Sequence, residues 1–213
     1  MPSPEWDADS PRSRKNLKIV FRRLIESAKA REDPTLKMPR SWHSEMMRGL
    51  EVPDEKYVGN YRGEPGLEGV EVAIELLGGP RLYGVPSDEI EQELAGFIAS
   101  LNKRVAKLDR QIPPGQSLSD ISVDDLHDIL CACAWAHAEW VRIHPFANGN
   151  GRSARLWANW LAIRYGLPGF VSLRPRPSGL YGYAASQAML GEWIPTVAVM
   201  HELLRENLRR YES

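Results

Sequence analysis

The chain has 213 residues, of which 43% are hydrophobic and 26% are charged, an ordinary composition for one globular domain with one well-buried core. Its 27 basic and 28 acidic residues leave a net charge of −1, so the overall charge favours neither nucleic acid nor an anionic membrane as a partner. The apolar runs all fall short of the ~20 residues that a membrane span needs.

The N-terminal part of the chain is predicted to contain a tail and two helices. Residues 1–13, rich in Pro, Ser and Asp at their start, are expected to form a flexible tail. Apolar residues at helical spacing predict a helix over 14–31, and a short second helix is expected around 42–50. The glycines and polar residues of 59–69 indicate a loop.

A β-hairpin is predicted at 70–85, where the apolar period changes. Along the first strand the large apolar residues Val70, Val72 and Ile74 alternate with Glu71 and Ala73. Gly78, Gly79 and Pro80 supply the turn, and 81–85 can return as a second strand. Because a lone hairpin is marginal in water, it should lie against a helical body.

Helical spacing resumes after the hairpin and continues to the end of the chain. One helix is expected from about Pro86, and Ser122 can cap the next, which must end near His144 because Pro145 follows. Three further helices are predicted at 151–165, 179–189 and 193–211. The pattern therefore predicts a mostly α single domain over 14–213, with its core at about 42–200.

The most informative segment, residues 144–155, reads His-Pro-Phe-Ala-Asn-Gly-Asn-Gly-Arg-Ser-Ala-Arg. Gly149, Asn150 and Gly151 lie at a predicted helix N-terminus, where free backbone N–H groups and the positive end of the helix dipole attract phosphate. The glycines let the backbone approach an anion closely. A phosphate-binding turn is therefore predicted here. The Lys-Ser/Thr of a Walker loop is missing, so a P-loop is excluded.

Three side chains of the same segment add chemistry to this turn. Arg152 and Arg155 lie three residues apart, on one face of the first helical turn, as forked donors for phosphate oxygens. His144 stands at the entrance and can accept a proton near neutral pH. A base beside a polyphosphate site predicts activation of a hydroxyl, followed by its attack on phosphorus.

Residues 144–155 resemble the signature of the Fic family, His-Pro-Phe-x-Asp/Glu-Gly-Asn-Gly-Arg-x-x-Arg, and match every fixed position except one. The surroundings are also similar, with a hairpin upstream, a helix leading into the loop and a long helix after it. The similarity runs from about Trp42 to the C-terminus. It implies a Fic-type helical bundle with one small β-hairpin flap.

The resemblance also implies an enzyme, a protein adenylyltransferase that uses ATP. His144 would deprotonate a Ser, Thr or Tyr hydroxyl of a target protein, and the oxygen would attack the α-phosphate. Asn150 and the backbone around Gly149 and Gly151 would hold the α- and β-phosphates. Phe146 would anchor the loop in the core.

Further roles follow from the same resemblance. Arg152 would bind on the β-phosphate side and Arg155 would bind the γ-phosphate. Tyr183 lies where family members often contact the adenosine. The hairpin at 70–85 would pair with an extended segment of the target.

Asn148 is the one departure from the signature. The family places Asp or Glu there to hold Mg²⁺ between the phosphates, so the resemblance implies Mg²⁺ as cofactor. An Asn carbonyl can coordinate Mg²⁺ but carries no negative charge, and this hard cation prefers carboxylate and phosphate oxygens. We therefore expect weaker metal binding at Asn148, with the nucleotide supplying most of the ligands.

The C-terminal helix, expected at 193–211, carries a possible internal inhibitor. Many Fic proteins are inhibited by a helix with Ser/Thr-x-x-x-Glu-Gly/Asn, and Glu206-Asn207 fits the end of that pattern. Glu202 occupies the position where Ser or Thr is expected. Glu206 either pairs with Arg155 as a brake or belongs to a solvated helix face, and a separate antitoxin chain can supply the inhibitory Glu instead.

Two other function classes remain open beside the adenylyltransferase, which can be the toxin of a toxin–antitoxin pair. One is a nucleotide-binding or interaction module whose catalysis has weakened at Asn148, and the other is a Fic transferase with a different nucleotide donor. Two cysteines, no disulfide framework and no signal peptide favour a cytoplasmic setting.

Overall fold

The computed structural model describes residue 6 and residues 8–75, 80–116 and 118–212. Within these residues the fold is mostly helical, as predicted, with seven α-helices and one two-stranded hairpin. The helices are α1 (Pro11–Lys29), α2 (Lys37–Met47), α3 (Ile90–Gln111), α4 (Val123–Ile143), α5 (Asn150–Arg164), α6 (Tyr181–Met189) and α7 (Ile194–Glu212). The strands are β1 (Ala73–Glu75) and β2 (Arg81–Tyr83). None of the described helices is both long and apolar enough to cross a bilayer.

Helices α4 and α5 form the centre of the bundle. Fourteen of the fifteen residues of α5 are buried, which is expected only of a helix that is covered on every side. Helices α1 and α2 pack on α5, whereas α3, α6 and α7 pack on α4. The loop that joins the two central helices is therefore held from both ends by the best-packed part of the molecule.

Aromatic side chains fill the space between the central helices and their neighbours. Trp140 of α4 and Trp157 of α5 meet edge to face, with ring centroids 6.0 Å apart, and both contact Phe97 of α3. Trp42 of α2 packs on the other side of Trp157 at 4.8 Å. Edge-to-face pairs of this kind add specific attraction to the large apolar area that they bury. All three tryptophans are buried, so this aromatic cluster forms part of the core.

Two helix starts are fixed by serine caps. The backbone N–H of Asp125 donates to Ser122 Oγ at 3.1 Å, which confirms the predicted cap of α4. Helix α1 is capped in the same way by Ser10 and begins at Pro11, three residues before the predicted start. Trp6 is 8% exposed and packs with Met47, although it belongs to the segment predicted to be a flexible tail. Residues 1–5 and 7 of that segment lie outside the described residues.

The hairpin forms where it was predicted, but its paired part is short. The strands are antiparallel, with Ala73 opposite Tyr83, Ile74 opposite Leu82 and Glu75 opposite Arg81. The predicted alternation is confirmed over 70–74, since even-numbered residues are half-buried and odd-numbered ones are exposed. Residues 76–79, which include part of the predicted turn, lie outside the described residues.

Residues just before β1 also contact the body of the domain, although the Val72 carbonyl still accepts the backbone N–H of Gly84 across the hairpin at 3.1 Å. The backbone carbonyl of Val70 accepts a hydrogen bond from Arg62 Nη1 at 3.0 Å. The carboxylate of Glu71 accepts the backbone N–H of Ser87 at 3.1 Å and lies 3.4 Å from the same Arg62 nitrogen. These contacts fasten the base of the hairpin to the body of the domain.

Candidate active site

Most of the predicted site residues line one pocket of about 590 Å³. The pocket lies between the hairpin, the loop that joins α4 to α5, and the segment that leads into α6. Its walls include the predicted residues 72–74, His144, 148–152 and Arg155. Val70 and Glu71 of the predicted flap lie outside these walls. A candidate base, the start of a helix and two arginines therefore share one cavity.

His144 ends α4 in a left-handed conformation, with φ 54°. A non-glycine residue in this region is uncommon and turns the chain sharply toward the loop. The imidazole Nδ1 lies 3.0 Å from the carbonyl oxygen of Val141, an acceptor only, so Nδ1 carries the proton and Nε2 keeps its lone pair. Burial lowers the pKa of His144 to about 4; the Val141 bond opposes this shift and the nearby Arg62 charge adds to it. The ring is therefore neutral at pH 7 and has a free acceptor nitrogen.

The buried guanidinium of Arg62 holds the strained turn at His144. It donates to the carbonyl oxygens of His144 at 2.8 Å and Ile143 at 3.1 Å, the last carbonyls of α4. It also donates to the carbonyls of Val70 and Val85, on either side of the hairpin. Because carbonyls at a helix C-terminus lack partners within the helix, this arginine acts as their cap. A single side chain therefore fixes the turn and the hairpin together.

The loop after His144 is closed by the Asn150 side chain. Its Oδ1 accepts the backbone N–H of Phe146 at 2.8 Å, and its Nδ2 donates to the carbonyl of the same residue at 2.7 Å. Asn150 is 2% exposed. Its amide is therefore used in shaping the loop, while the residue also lines the pocket at the start of α5.

His43 of α2 supports the same loop from beneath. Its ring stacks on Phe146, with centroids 4.1 Å apart, and its Nε2 lies 3.0 Å from the carbonyl oxygen of Asn148. Its Nδ1 accepts the backbone N–H of Gly59 at 2.9 Å, which places the ring proton on Nε2 as the donor to Asn148. Phe146 itself is fully buried, as the resemblance implied. The loop is thus supported by two stacked, buried rings.

Gly149 precedes α5 with φ 81°, a conformation that a side chain strains. A Cβ atom there would also lie 3.1 Å from Met47 and 3.3 Å from His43. The backbone N–H groups of the first turn of α5 lack partners within the helix, and Gly149, Asn150 and Gly151 line the pocket. This arrangement can bind the oxygens of a phosphate.

Arg155 is buried and held by neighbours that the sequence prediction missed. Its Nη1 donates to the hydroxyl of Tyr181 at 3.1 Å and its Nη2 donates to the carbonyl of Leu173 at 3.0 Å. The Tyr181 hydroxyl lies 2.7 Å from Nε2 of the buried His137. Since Arg155 donates to this hydroxyl, its proton is directed to His137, whose pKa is lowered to about 3 by burial and by the charges of Arg155 and Arg176.

Asn148 and Arg152 are in contact at the metal position that the resemblance implies. Asn148 Oδ1 accepts the backbone N–H of Gly149 and lies 3.2 Å from Arg152 Nη2. Arg152 also donates to the carbonyl of Trp6 at 3.1 Å. Among the described residues that line the pocket, none is Asp or Glu. A donor set with one already engaged amide oxygen and no carboxylate does not fit a resident Mg²⁺ ion.

Two further predicted residues lie away from the pocket. Tyr183 is 59% exposed and is not one of the lining residues, whereas Tyr181 takes the position on the pocket wall. Helical spacing could have shown this, because Tyr181, Ala184, Ala185 and Ala188 form the buried face of α6. Glu206 lines a neighbouring cavity on α7, and both hydrogen bonds of Arg155 go to other partners. The described contacts therefore include no pairing of Glu206 with Arg155.

Comparison with known families and structures matches the chain to Fic proteins. A family described as Fic/DOC matches residues 35–162. The protein adenylyltransferase Fic of Drosophila persimilis is 41% identical over 58 residues, which cover 27% of this chain and 11% of that relative. The chain thus matches only about a tenth of the length of this curated relative.

Solved structures share the fold at low sequence identity. Fic-1 of Caenorhabditis elegans superposes with a TM-score of 0.65 at 20% identity, over 96% of this chain and 52% of that one. BepC of Bartonella tribocorum, solved with bound AMPPNP, gives a TM-score of 0.54 at 15% identity, over 94% of this chain and 90% of that one.

Proposed function

Because the chain belongs to the Fic/DOC family, we propose that it is a protein adenylyltransferase, which transfers AMP from ATP to a Ser, Thr or Tyr hydroxyl of a target protein. The observation that carries this proposal is the position of the neutral His144 ring. Its free Nε2 belongs to the same pocket as the start of α5 and the two arginines of the motif. A hydroxyl can therefore be activated beside bound phosphates.

The reaction follows from these positions. The target hydroxyl oxygen attacks the α-phosphorus of ATP, and its proton passes to Nε2 of His144. The bond from the α-phosphorus to the oxygen that bridges to the β-phosphate breaks, and pyrophosphate leaves with that electron pair. The α-phosphate stays on the target through a new P–O bond. The backbone N–H groups at the start of α5, with Arg152 and Arg155, bind the negative charge on the phosphates.

The basicity of His144 depends on whether the nucleotide is bound. With a pKa of about 4 in the free protein, His144 is a weak proton acceptor. A bound triphosphate brings negative charge into the same pocket, which raises the pKa of the ring toward neutrality. The ring therefore gains basicity when the nucleotide is in place.

The hairpin supplies a docking edge for the target. Residues 72–74 line the pocket, and among the described residues β1 pairs on one side only, with β2. Its other edge can accept an extended segment of the target by main-chain hydrogen bonds. Such pairing would bring the hydroxyl toward His144.

The test is AMP transfer from α-labelled ATP to proteins of a cell lysate, read by the label and by the intact mass of the modified protein. His144→Ala should lower the transfer rate by about 10²-fold or more, the usual contribution of a general base. His127→Ala, on the exposed part of α4, is the matched control and should keep the wild-type rate. If the wild type transfers no AMP but still binds ADP, the nucleotide-binding module is favoured instead.

A further inference from the structure

Two additional arginines line the phosphate side of the pocket. Arg174 and Arg176 come from the segment between α5 and α6, outside the twelve-residue motif, and join Arg152 and Arg155 on the wall. Four guanidinium groups therefore line one cavity whose described lining includes no carboxylate, and the Asp9 carboxylate outside that lining is close enough to interact with the charge of Arg174. Such a concentration of positive charge is stable only beside anions or water, and it gives the pocket a strong preference for a multiply charged anion.

Tyr181 organises two of these arginines. Its hydroxyl accepts a hydrogen bond from Arg155 Nη1 at 3.1 Å, and its ring lies under the guanidinium of Arg176, 5.4 Å from ring centroid to Cζ. The carbonyl of Leu173 accepts from Arg155 at 3.0 Å, so the motif arginine also holds the segment that carries Arg174. Tyr181 therefore positions Arg176, and Arg155 of the motif holds the segment that carries Arg174.

The same wall lacks what a divalent cation needs. The Oδ1 atom of Asn148 already accepts the N–H of Gly149 and contacts Arg152. Mg²⁺ in nucleotide sites is bound by one or two carboxylates together with phosphate oxygens, and its charge neutralises those oxygens. Here the guanidinium of Arg152 contacts the Asn148 amide, and the positive charge at this wall is carried by arginine side chains.

We propose that this pocket binds the di- or triphosphate of its nucleotide without a divalent cation, and that Arg174 and Arg176 supply the positive charge that the metal would otherwise provide. The inference rests on the proposed function only in taking a nucleotide as the ligand. Guanidinium groups suit this task because they keep their charge at all relevant pH values and donate two parallel hydrogen bonds to phosphate oxygens.

The test is the binding of ADP, measured by calorimetry in EDTA and in excess Mg²⁺ at equal ionic strength. The wild-type Kd should agree within about threefold between the two conditions. Arg176→Gln should weaken binding by about tenfold, or 1.4 kcal/mol, in both conditions. Arg110→Gln, a matched change of an exposed arginine on α3, should leave the Kd unchanged. Asn148→Asp restores the missing carboxylate and should make Mg²⁺ improve the Kd by about tenfold.

Each other result contradicts the proposal in a distinct way. A wild-type protein that binds ADP at least tenfold better with Mg²⁺ overturns metal-free binding but leaves the proposed transferase standing. An Arg176→Gln protein with the wild-type Kd in EDTA shows that the added arginine does not replace the metal. Failure of the wild type to bind ADP in both conditions overturns the inference and the proposed function together. Binding of ADP in EDTA without any AMP transfer contradicts only the proposed function.

Discussion

Replacing Asn150 with Asp tests the claim that this side chain closes the loop behind His144. The change preserves size and keeps Oδ1, which accepts the backbone N–H of Phe146. It replaces the donor Nδ2, which lies 2.7 Å from the Phe146 carbonyl, with a second oxygen acceptor. Two acceptors then face each other at a buried site. The loop should open or shift to separate them.

The magnitude follows from the two bonds and from the position at the start of α5. Loss of one hydrogen bond costs about 1 kcal/mol, and leaving a buried carbonyl without a donor costs about 1–3 kcal/mol. A carboxylate at a helix N-terminus recovers roughly 1 kcal/mol from the helix dipole. We therefore expect Asn150→Asp to lower the free energy of unfolding by about 2 kcal/mol at pH 8.

Asn159 provides an internal comparison. It makes the same two bonds with the backbone of Val171, at 3.0 and 2.8 Å, but lies in the middle of α5. Asn159→Asp gains nothing from the helix dipole, so it should lower the stability by about 1 kcal/mol more than Asn150→Asp. Asn150→Asp should also reshape the loop that carries His144. It should therefore lower the rate of AMP transfer per folded molecule more strongly than Asn159→Asp does.

The assay is urea unfolding of each variant against wild type at pH 8 and pH 5. Burial and the facing carbonyl raise the pKa of the introduced carboxyl, because only the protonated form can donate to that carbonyl. A raised folded pKa gives stability that is present at low pH and is lost as the pH rises through it. The deficit relative to wild type should therefore shrink at pH 5. A deficit below about 0.5 kcal/mol at pH 8, or one that grows on acidification, would refute the reasoning.

Three further predictions concern buried groups around the site. Burial lowers the pKa of His43 to about 4 and that of His137 to about 3. Stability should therefore be lost as the pH falls below their ordinary pKa of 6.5, by roughly 2 kcal/mol for each histidine at pH 5. A free energy of unfolding that stays flat from pH 8 to pH 5 would contradict this. Tyr181→Phe removes the hydroxyl that holds Arg155 and should raise the KM for ATP by about fivefold to tenfold in a steady-state assay. In the same assay Tyr183→Phe, a change of an exposed tyrosine, should leave the KM unchanged. Arg62→Met leaves buried carbonyls without a donor and should lower the free energy of unfolding by roughly 3 kcal/mol or more in urea titrations; a loss below 1 kcal/mol would show that this arginine is not the clamp.

Local patterns predicted most of the architecture and the segment of the site that we propose binds phosphate. The seven helices follow from apolar spacing, the Ser122 cap and the break at Pro145, all of which act within a few residues of chain. The site segment was identified for the same reason, since a base, glycines and arginines follow one another within 144–155. The structure brings these predicted residues into one pocket.

What the sequence did not reveal depends on contacts between distant parts of the chain. Arg62 reaches carbonyls 81 and 82 residues away, and nothing in its own loop indicates this. Arg174 and Arg176 lie outside the motif, and only the folded segment before α6 places them in the pocket. One short-range contact was also not predicted, because the Asn150 side chain hydrogen-bonds the backbone of Phe146 four residues earlier, and its role in phosphate binding stays a prediction.

The prediction of Tyr183 had a different basis. It followed a family position rather than the period of the helix, and the exposed side chain of Tyr183 lies off the buried face of α6. For Glu206 the sequence left a brake and a solvated helix face open, and the fold leaves this side chain exposed beside a neighbouring cavity. In both cases the three-dimensional position of a helix face decided the outcome.

The most direct test of the central claim is which phosphate of ATP reaches the target protein. The wild-type chain and His144→Ala are each supplied with ATP labelled either at the α-phosphate or at the γ-phosphate, and the label on protein is compared with the pyrophosphate released. We predict that only the α-label is transferred, in equal amount to pyrophosphate, and that His144→Ala abolishes both signals. Label on protein from the γ-phosphate, or α-label transfer that persists in His144→Ala, would contradict the account.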